Sequence, residues 1–169
     1  GKPESALYDE VYVANFEAFM STFKGFRITS TEPLVFEVYS DTFSADAELN
    51  VGGTWPTYSF GEGSFAQIAI GNMAEANGEL AYSIDKADVA EVEQMNFVGG
   101  PSLEILSGKL DQAIAESYIP FEPMLSQYIT KEEAVARYEN LKAFYTEHGH
   151  FWQGTGPYLL NKAFPTEKT

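Results

Sequence analysis

The side chains best suited to metal chemistry lie near the C-terminus, where residues 147–152 read Glu-His-Gly-His-Phe-Trp. Two histidines beside a carboxylate could bind zinc, but no third potential ligand lies at a spacing typical of zinc sites. Both histidines also lie at the end of a predicted helix, where a histidine interacts favourably with the helix dipole. For His148 and His150 the sequence therefore favours a capping role, and we expect no metal site.

Other kinds of chemistry find little support. Asp41, Asp46 and Glu48 could bind calcium, but they lack the Asp-x-Asp-x-Asp-Gly spacing with its distant glutamate, so we expect solvated loop acids. The chain has no cysteine and no Gly-x-Ser-x-Gly nucleophile motif. Nothing singles out a carboxylate pair for glycoside hydrolysis among the 25 acidic residues. The sequence therefore predicts a protein that is not an enzyme and needs no cofactor.

Aromatic residues are better candidates for a binding site, and they make up 15% of the chain. Exposed rings offer flat apolar area to sugars or peptide side chains. The candidates are Trp152, Phe151, Trp55 and Tyr58. Thr155 joins them because the small residues of Gly154-Thr155-Gly156 would let a ligand or a second domain approach the backbone. The alternatives are that the aromatic rings fill the core and that the glycines only shape a connection.

The elements that must position these residues are mostly helices. Apolar periodicity predicts helices over 8–23 and 65–76, a short helix within 87–93, a helix capped by Ser102 and broken by Pro120 and Pro123, and a helix from Thr130. In the last of these, Thr130 and Glu133 predict a reciprocal capping box, and Gly149 a left-handed end.

The predicted strands are fewer. The runs 26–30 and 34–39 flank a turn at Thr31-Glu32-Pro33 and predict an antiparallel hairpin. A terminal strand is expected over 158–164, with no obvious partner in the chain. Because strands need neighbours, we expect sequence outside this chain to supply its sheet. The fold class is therefore α+β, with a small antiparallel sheet and about four helices.

Charge narrows the choice of partner. The chain has 169 residues, of which 25 are acidic and 10 basic, for a net charge of −15. No basic stripe exists to neutralise phosphates, so nucleic acid and anionic membrane surfaces are disfavoured. No apolar run approaches the roughly 18 residues of a membrane span. Any export signal would lie upstream of this chain.

Four segments together resemble a known family. They are 23–39, which includes the predicted hairpin, 95–103 (Met-Asn-Phe-Val-Gly-Gly-Pro-Ser-Leu), 138–152, and 154–158 (Gly-Thr-Gly-Pro-Tyr). In this order they resemble the extracellular solute-binding proteins of family five, the oligopeptide/dipeptide-type receptors of ABC transporters. The similarity covers roughly residues 23–164.

The resemblance implies a periplasmic-binding-protein type II fold, in which two lobes close on a ligand and hand it to a membrane ABC permease. Residues 1–169 would form a single subdomain of the first lobe, partnered by the remainder of the receptor. The ligand would be a peptide or, as the closest rival, an oligosaccharide. The location would be extracytoplasmic, either periplasmic or anchored at the cell surface as a lipoprotein. The alternative is a stand-alone acidic α+β protein-interaction domain.

Overall fold

The computed structural model describes residues 3–43, 45–46, 48–49, 63–154 and 157–162. Contacts divide the chain into a hairpin unit, Asp9–Ser59, and a helical unit, Gly1–Tyr8 with Phe60–Thr169. Within the described ranges the elements are six helices, a two-stranded antiparallel hairpin and a small parallel strand pair. The predicted α+β class is confirmed.

The hairpin unit contains helix α1 (Glu10–Thr22) followed at once by strands β1 (Phe23–Thr31) and β2 (Leu34–Ser40). Asp9 caps α1 by accepting a hydrogen bond from the N–H of Val11 at 3.1 Å. The predicted hairpin is confirmed, and its register pairs Phe26 with Val38 and Ile28 with Phe36. No residue of α1, β1 or β2 is buried, so this unit exposes many large apolar side chains.

The helical unit holds the core of the described chain. Its elements are α2 (Phe65–Ala76), β3 (Leu80–Ala81), α3 (Ile84–Ala90), β4 (Glu93–Gln94), α4 (Ser102–Glu116), α5 (Glu122–Leu125) and α6 (Lys131–His148). Helices α2, α4 and α6 pack against one another in all three pairs. They enclose fully buried side chains that include Ile70, Leu106, Leu110, Tyr138 and Leu141.

Helix α6 begins and ends as its sequence predicts. The Thr130 hydroxyl accepts from the N–H of Glu133 at 3.2 Å, and the Glu133 carboxylate accepts from the N–H of Thr130 at 2.8 Å. Gly149 ends the helix at a φ of 74°, a left-handed angle that glycine adopts without steric cost. At no point in the described ranges is a helix both long enough and apolar enough to cross a membrane.

Helices α3 and α4 differ from their predictions. Helix α3 spans Ile84–Ala90, earlier than expected, because the Ser83 hydroxyl caps it by accepting from the N–H of Lys86 at 3.1 Å. Ser102 does not cap α4; it is the buried first residue of the helix, and its hydroxyl accepts from the N–H of Asn96 at 3.1 Å. The predicted cap at Ser102 was therefore wrong, because the N–H of Asn96, six residues earlier, takes the hydroxyl.

The end of α4 also has a different cause from the one predicted. The helix stops at Ser117, which adopts a left-handed φ of 50°, before the chain reaches Pro120. Pro123 does not break a helix but lies in the first turn of α5, where its missing N–H is not needed. The two prolines were therefore wrongly assigned as breakers.

The strand predicted over 158–164 is not formed in its described part, residues 158–162. There the backbone pairs with no described strand, and one of its contacts is a 2.8 Å hydrogen bond between the Leu160 carbonyl and the His150 ring. Residues 163 and 164 lie outside the described residues.

Candidate functional site

Trp152 lies in a loop that is fixed to the core immediately after α6. Phe151 is fully buried and stacks on Tyr145, with ring centroids 4.2 Å apart and an interplanar angle of 11°. Its N–H donates a 2.7 Å hydrogen bond to the Phe97 carbonyl. The position of Trp152 is therefore set by a buried neighbour that is stacked on one helix and bonded to another segment.

His150, which precedes Phe151 in the chain, also holds this loop in place. The ring is buried, and its Nδ1 accepts a 3.2 Å hydrogen bond from the N–H of Trp152. A neutral ring that accepts at Nδ1 carries its proton on Nε2, which therefore donates to the Leu160 carbonyl at 2.8 Å. A metal at His150 would have to displace one of these bonds. In the described ranges no three His, Cys, Asp or Glu residues form a group that could hold a metal ion.

The wall opposite this loop continues from strand β4. β3 and β4 pair in parallel through Leu80 with Glu93 and Ala81 with Gln94, and the N–H of Met95 extends the pairing to the Ala81 carbonyl at 2.8 Å. Beyond the strand, Met95 and Phe97 are each only 3% exposed, whereas Gln94 and Asn96 are exposed. This alternation places the two carboxamide side chains on the outer side of an extended segment.

Hydrogen bonds determine which way each carboxamide points. The Asn96 Oδ1 accepts from the N–H groups of Val98 at 2.8 Å and Gly99 at 3.1 Å, so its amide group points away from that turn. The Gln94 Nε2 donates to the Tyr82 carbonyl at 3.3 Å, which leaves Oε1 on the other side. In the part of the chain that the structure describes, Asn96 Nδ2 and Gln94 Oε1 have no hydrogen-bond partner. The segment thus presents one donor group and one acceptor.

Trp152 and this segment line one pocket of about 290 Å³. Its lining residues are Gln94, Met95, Asn96, Phe97, Val98 and Trp152. Trp152 packs against the core and is half-buried, so part of its indole remains available to the pocket. The volume lies at the small end of ligand pockets, which run from roughly 300 Å³ upwards. None of the six residues is charged, and the lining is equipped for stacking and hydrogen bonding.

The structure places only some of the predicted site residues at the pocket. Trp152 lines the pocket, while Trp55, Tyr58 and Thr155 lie outside the described residues. Phe151 was a wrong candidate, because its ring is fully buried in the core.

Gln94 and Asn96 were missed by sequence reasoning, which predicted only a short helix within 87–93 next to them. The alternation of polar Gln94 and Asn96 with apolar Met95 and Phe97 was a signal for an extended segment with one polar side. Four residues are a short run for such a pattern. The sequence also carries no indication of a partner strand, because β3 and β4 have only two residues each and show no periodic pattern.

Comparison with known proteins adds no family or relative. A scan against protein-family models finds no match to this chain, and a search of curated proteins finds none with significant similarity.

Proposed function

We propose that this chain forms part of an extracytoplasmic solute-binding protein, which captures a peptide or oligosaccharide for import by a membrane ABC permease. The observation that carries the proposal is the pocket between Trp152 and segment 94–98. Five of its six lining residues, 95–98 and Trp152, fall in two of the runs that resemble family five, residues 95–103 and 138–152, and Gln94 lies immediately before the first of them. The resemblance and the pocket thus point to the same residues. A lobe subdomain of a periplasmic-binding-protein type II fold is part of the same proposal.

The lining favours binding over turnover. Acid–base and covalent catalysis need a titratable group or a nucleophile within hydrogen-bond reach of the substrate. The six lining residues supply an indole, two carboxamides and apolar groups. A site of this composition holds a ligand and releases it unchanged, which is what an import receptor must do.

The hairpin unit supports the proposal that this chain works within a larger protein. Val11, Phe16 and Leu34 are among its exposed large apolar side chains, although α1 and the hairpin have regular, capped and paired backbones. Contiguous exposed apolar surface usually marks an interaction site. In a two-lobe receptor, the remainder of the protein would cover this surface.

The proposal is tested by mass spectrometry of small molecules released when the natively purified protein is denatured. We expect a peptide or an oligosaccharide from the wild type and much less from Trp152→Ala. Tyr128→Ala is the control, because Tyr128 is an aromatic residue outside the pocket that is 74% exposed. Circular dichroism must show that both variants are folded. Release of neither ligand class from the wild type, or equal release from Trp152→Ala, would contradict the proposal.

A second candidate function, a protein-interaction domain, is favoured by one surface of the helical unit. Phe121, Met124 and Tyr128 are 59%, 65% and 74% exposed, and their three- and four-residue spacing follows the turns of α5 and its continuation. Aromatic residues and methionine are enriched at protein interfaces. Under this alternative, Met124→Ser would abolish binding to a partner protein, and native purification would yield no small molecule.

A further inference from the structure

Four of the backbone N–H groups along the pocket wall, and one carbonyl, already make hydrogen bonds within the chain. Met95 N–H donates to Ala81, Asn96 N–H to the Ser102 hydroxyl, and the Phe97 carbonyl accepts from Phe151. The N–H groups of Val98 and Gly99 both donate to the Asn96 side chain. A peptide ligand added as an extra strand needs free backbone donors and acceptors along such a segment. What remains for a ligand here is mainly the side chains.

The absence of charge in the pocket lining also disfavours a peptide ligand. A peptide with free termini brings a carboxylate and an ammonium group, and a buried charge is tolerated only when it is paired. The lining residues carry no charge that could pair with either terminus. The net charge of −15 also disfavours an anionic group anywhere near this surface. A neutral ligand suits the pocket best.

The available polar groups suit hydroxyls. A hydroxyl both donates and accepts, so a ring that bears several can donate to Gln94 Oε1 and accept from Asn96 Nδ2 at once. Both amides are held in these orientations before any ligand arrives, which lowers the ordering cost of binding. The exposed part of the Trp152 indole offers a flat apolar surface for the C–H face of the same ring.

We infer that the pocket takes one ring of a neutral, polyhydroxylated ligand, a sugar unit of an oligosaccharide, held by the Gln94 and Asn96 carboxamides against Trp152. The inference rests on the proposed binding function and names its ligand class. A volume of about 290 Å³ fits a single ring, so further units of an oligosaccharide would extend outside this pocket.

The test uses tryptophan fluorescence. The chain has two tryptophans, so the wild type and Trp55→Phe, in which Trp152 is the only tryptophan of this chain, are titrated in parallel; equal affinities show that Trp55 takes no part in binding. Cellopentaose and maltopentaose are the sugar probes, and pentaalanine with free termini is the peptide probe. We expect a saturable change in Trp152 emission with at least one of the two sugars and none with the peptide.

Asn96→Asp is the informative variant in this background. It keeps the Oδ1 acceptor for Val98 and Gly99 and replaces only the donor that faces the pocket. Because the donor is replaced by a charged acceptor, the bonded hydroxyl must reverse its role, and the sugar affinity should change by roughly threefold to tenfold. Asn140→Asp is the matched control, because it makes the same charge change at an exposed position of α6 and should leave the affinity unchanged.

The outcomes separate the two proposals. Binding of pentaalanine without either sugar would overturn the sugar inference and leave the receptor function standing. Binding of neither class would overturn both, and sugar binding that Asn96→Asp leaves unchanged would overturn the carboxamide assignment. If Asn96→Asp fails to fold, the side-chain amide resonances of Asn96 in the otherwise unchanged chain decide instead. A ligand-induced shift supports the assignment, and unshifted resonances at saturation contradict it.

Discussion

The Tyr138 hydroxyl donates a 3.0 Å hydrogen bond to the carbonyl oxygen of Tyr118. Tyr138 lies in the fully buried stripe of α6, and Tyr118 follows the left-handed residue that ends α4. One buried side chain therefore satisfies a carbonyl just beyond the end of the neighbouring helix, where no backbone ladder supplies a donor. The bond joins α6 to the turn that leads towards α5.

Removing this bond should destabilise the helical unit. Tyr138→Phe keeps the ring in the core but leaves the Tyr118 carbonyl without its donor, at a cost of about 0.5–1.5 kcal/mol. Urea unfolding followed by circular dichroism measures the loss. Tyr128→Phe is the control, because Tyr128 is highly exposed and its change should be close to neutral. Equal stability of the two variants would show that the Tyr138 bond contributes nothing.

Stability should fall in alkali, partly through the same hydroxyl. Burial raises the pKa of Tyr138 above its ordinary value of 10.0. The unfolded chain loses this proton near pH 10 and the folded chain only at higher pH, so the contribution is complete below pH 10 and declines above it. The slope is at most about 1.4 kcal/mol per pH unit for one group.

Comparison of the wild type with Tyr138→Phe at pH 8, 9, 10 and 11 isolates this effect, since all other groups titrate in both proteins. Some slope will remain in the variant, because burial and, to a lesser extent, the charge of Glu116 also raise the pKa of Tyr118. We expect the difference in unfolding free energy between the two proteins to shrink above pH 10. A constant difference across this range would contradict the assignment.

Gly71 should not tolerate a side chain. A Cβ at this position of α2 would meet the Tyr82 hydroxyl, the Met95 sulfur at 2.9 Å and the Phe97 ring at 3.0 Å. Overpacking of this kind costs about 1–3 kcal/mol. The higher helix propensity of alanine offsets up to about 1 kcal/mol of that cost, so we expect Gly71→Ala to lower stability.

Gly108→Ala is the matched comparison within α4. A Cβ there would meet nothing within 4 Å, so the change should raise stability by up to about 1 kcal/mol through helix propensity alone. Thermal unfolding of both variants checks the pair. Opposite signs support the packing argument, and stabilisation by both changes would refute it for Gly71.

The cap of α6 should be measurable as well. Thr130→Ala removes the hydroxyl that accepts from Glu133 N–H, and loss of such a cap costs about 1 kcal/mol, within a range of 0.5–2. Thr146 provides the comparison, because its hydroxyl bonds back to the Lys142 carbonyl within the helix. That bond adds little to helix stability, so Thr146→Ala should be nearly neutral. The unfolding free energy of both variants is measured by urea unfolding. Similar losses of stability from both changes would contradict a specific stabilising role for the Thr130–Glu133 capping box.

Features encoded within a few neighbouring residues were predictable from the sequence. The Thr130–Glu133 box, the glycine end of α6 at Gly149, and the turn that joins β1 to β2 each involve residues close together in the chain. Their hydrogen bonds depend on local geometry, so the pattern alone indicates them. Trp152 was proposed as a binding candidate from its residue type and its glycine-rich neighbourhood; it lines the pocket, and its role in binding stays a prediction.

Features that depend on tertiary packing were not predictable. The Ser102 hydroxyl has the right chemistry for a cap, but it is buried and accepts from the N–H of Asn96, six residues earlier. Strands β3 and β4 are two residues long, too short for a periodic signal, and their pairing joins segments separated by a helix. Gln94 and Asn96 face a common pocket only because of that pairing, so the polar half of the candidate site depends on tertiary structure.

The left-handed helix ends have a consequence for sequence variation among homologues. Glu91 and Ser117 hold positive φ angles of 54° and 50° at the ends of α3 and α4, where glycine or asparagine would fit with less strain. Evolution should therefore exchange these two positions readily for glycine and asparagine. Position 71, by contrast, is a glycine that packing requires, so it should stay invariant while its neighbour at position 82 keeps an aromatic ring. An alignment of homologous sequences would show these opposite patterns within one domain.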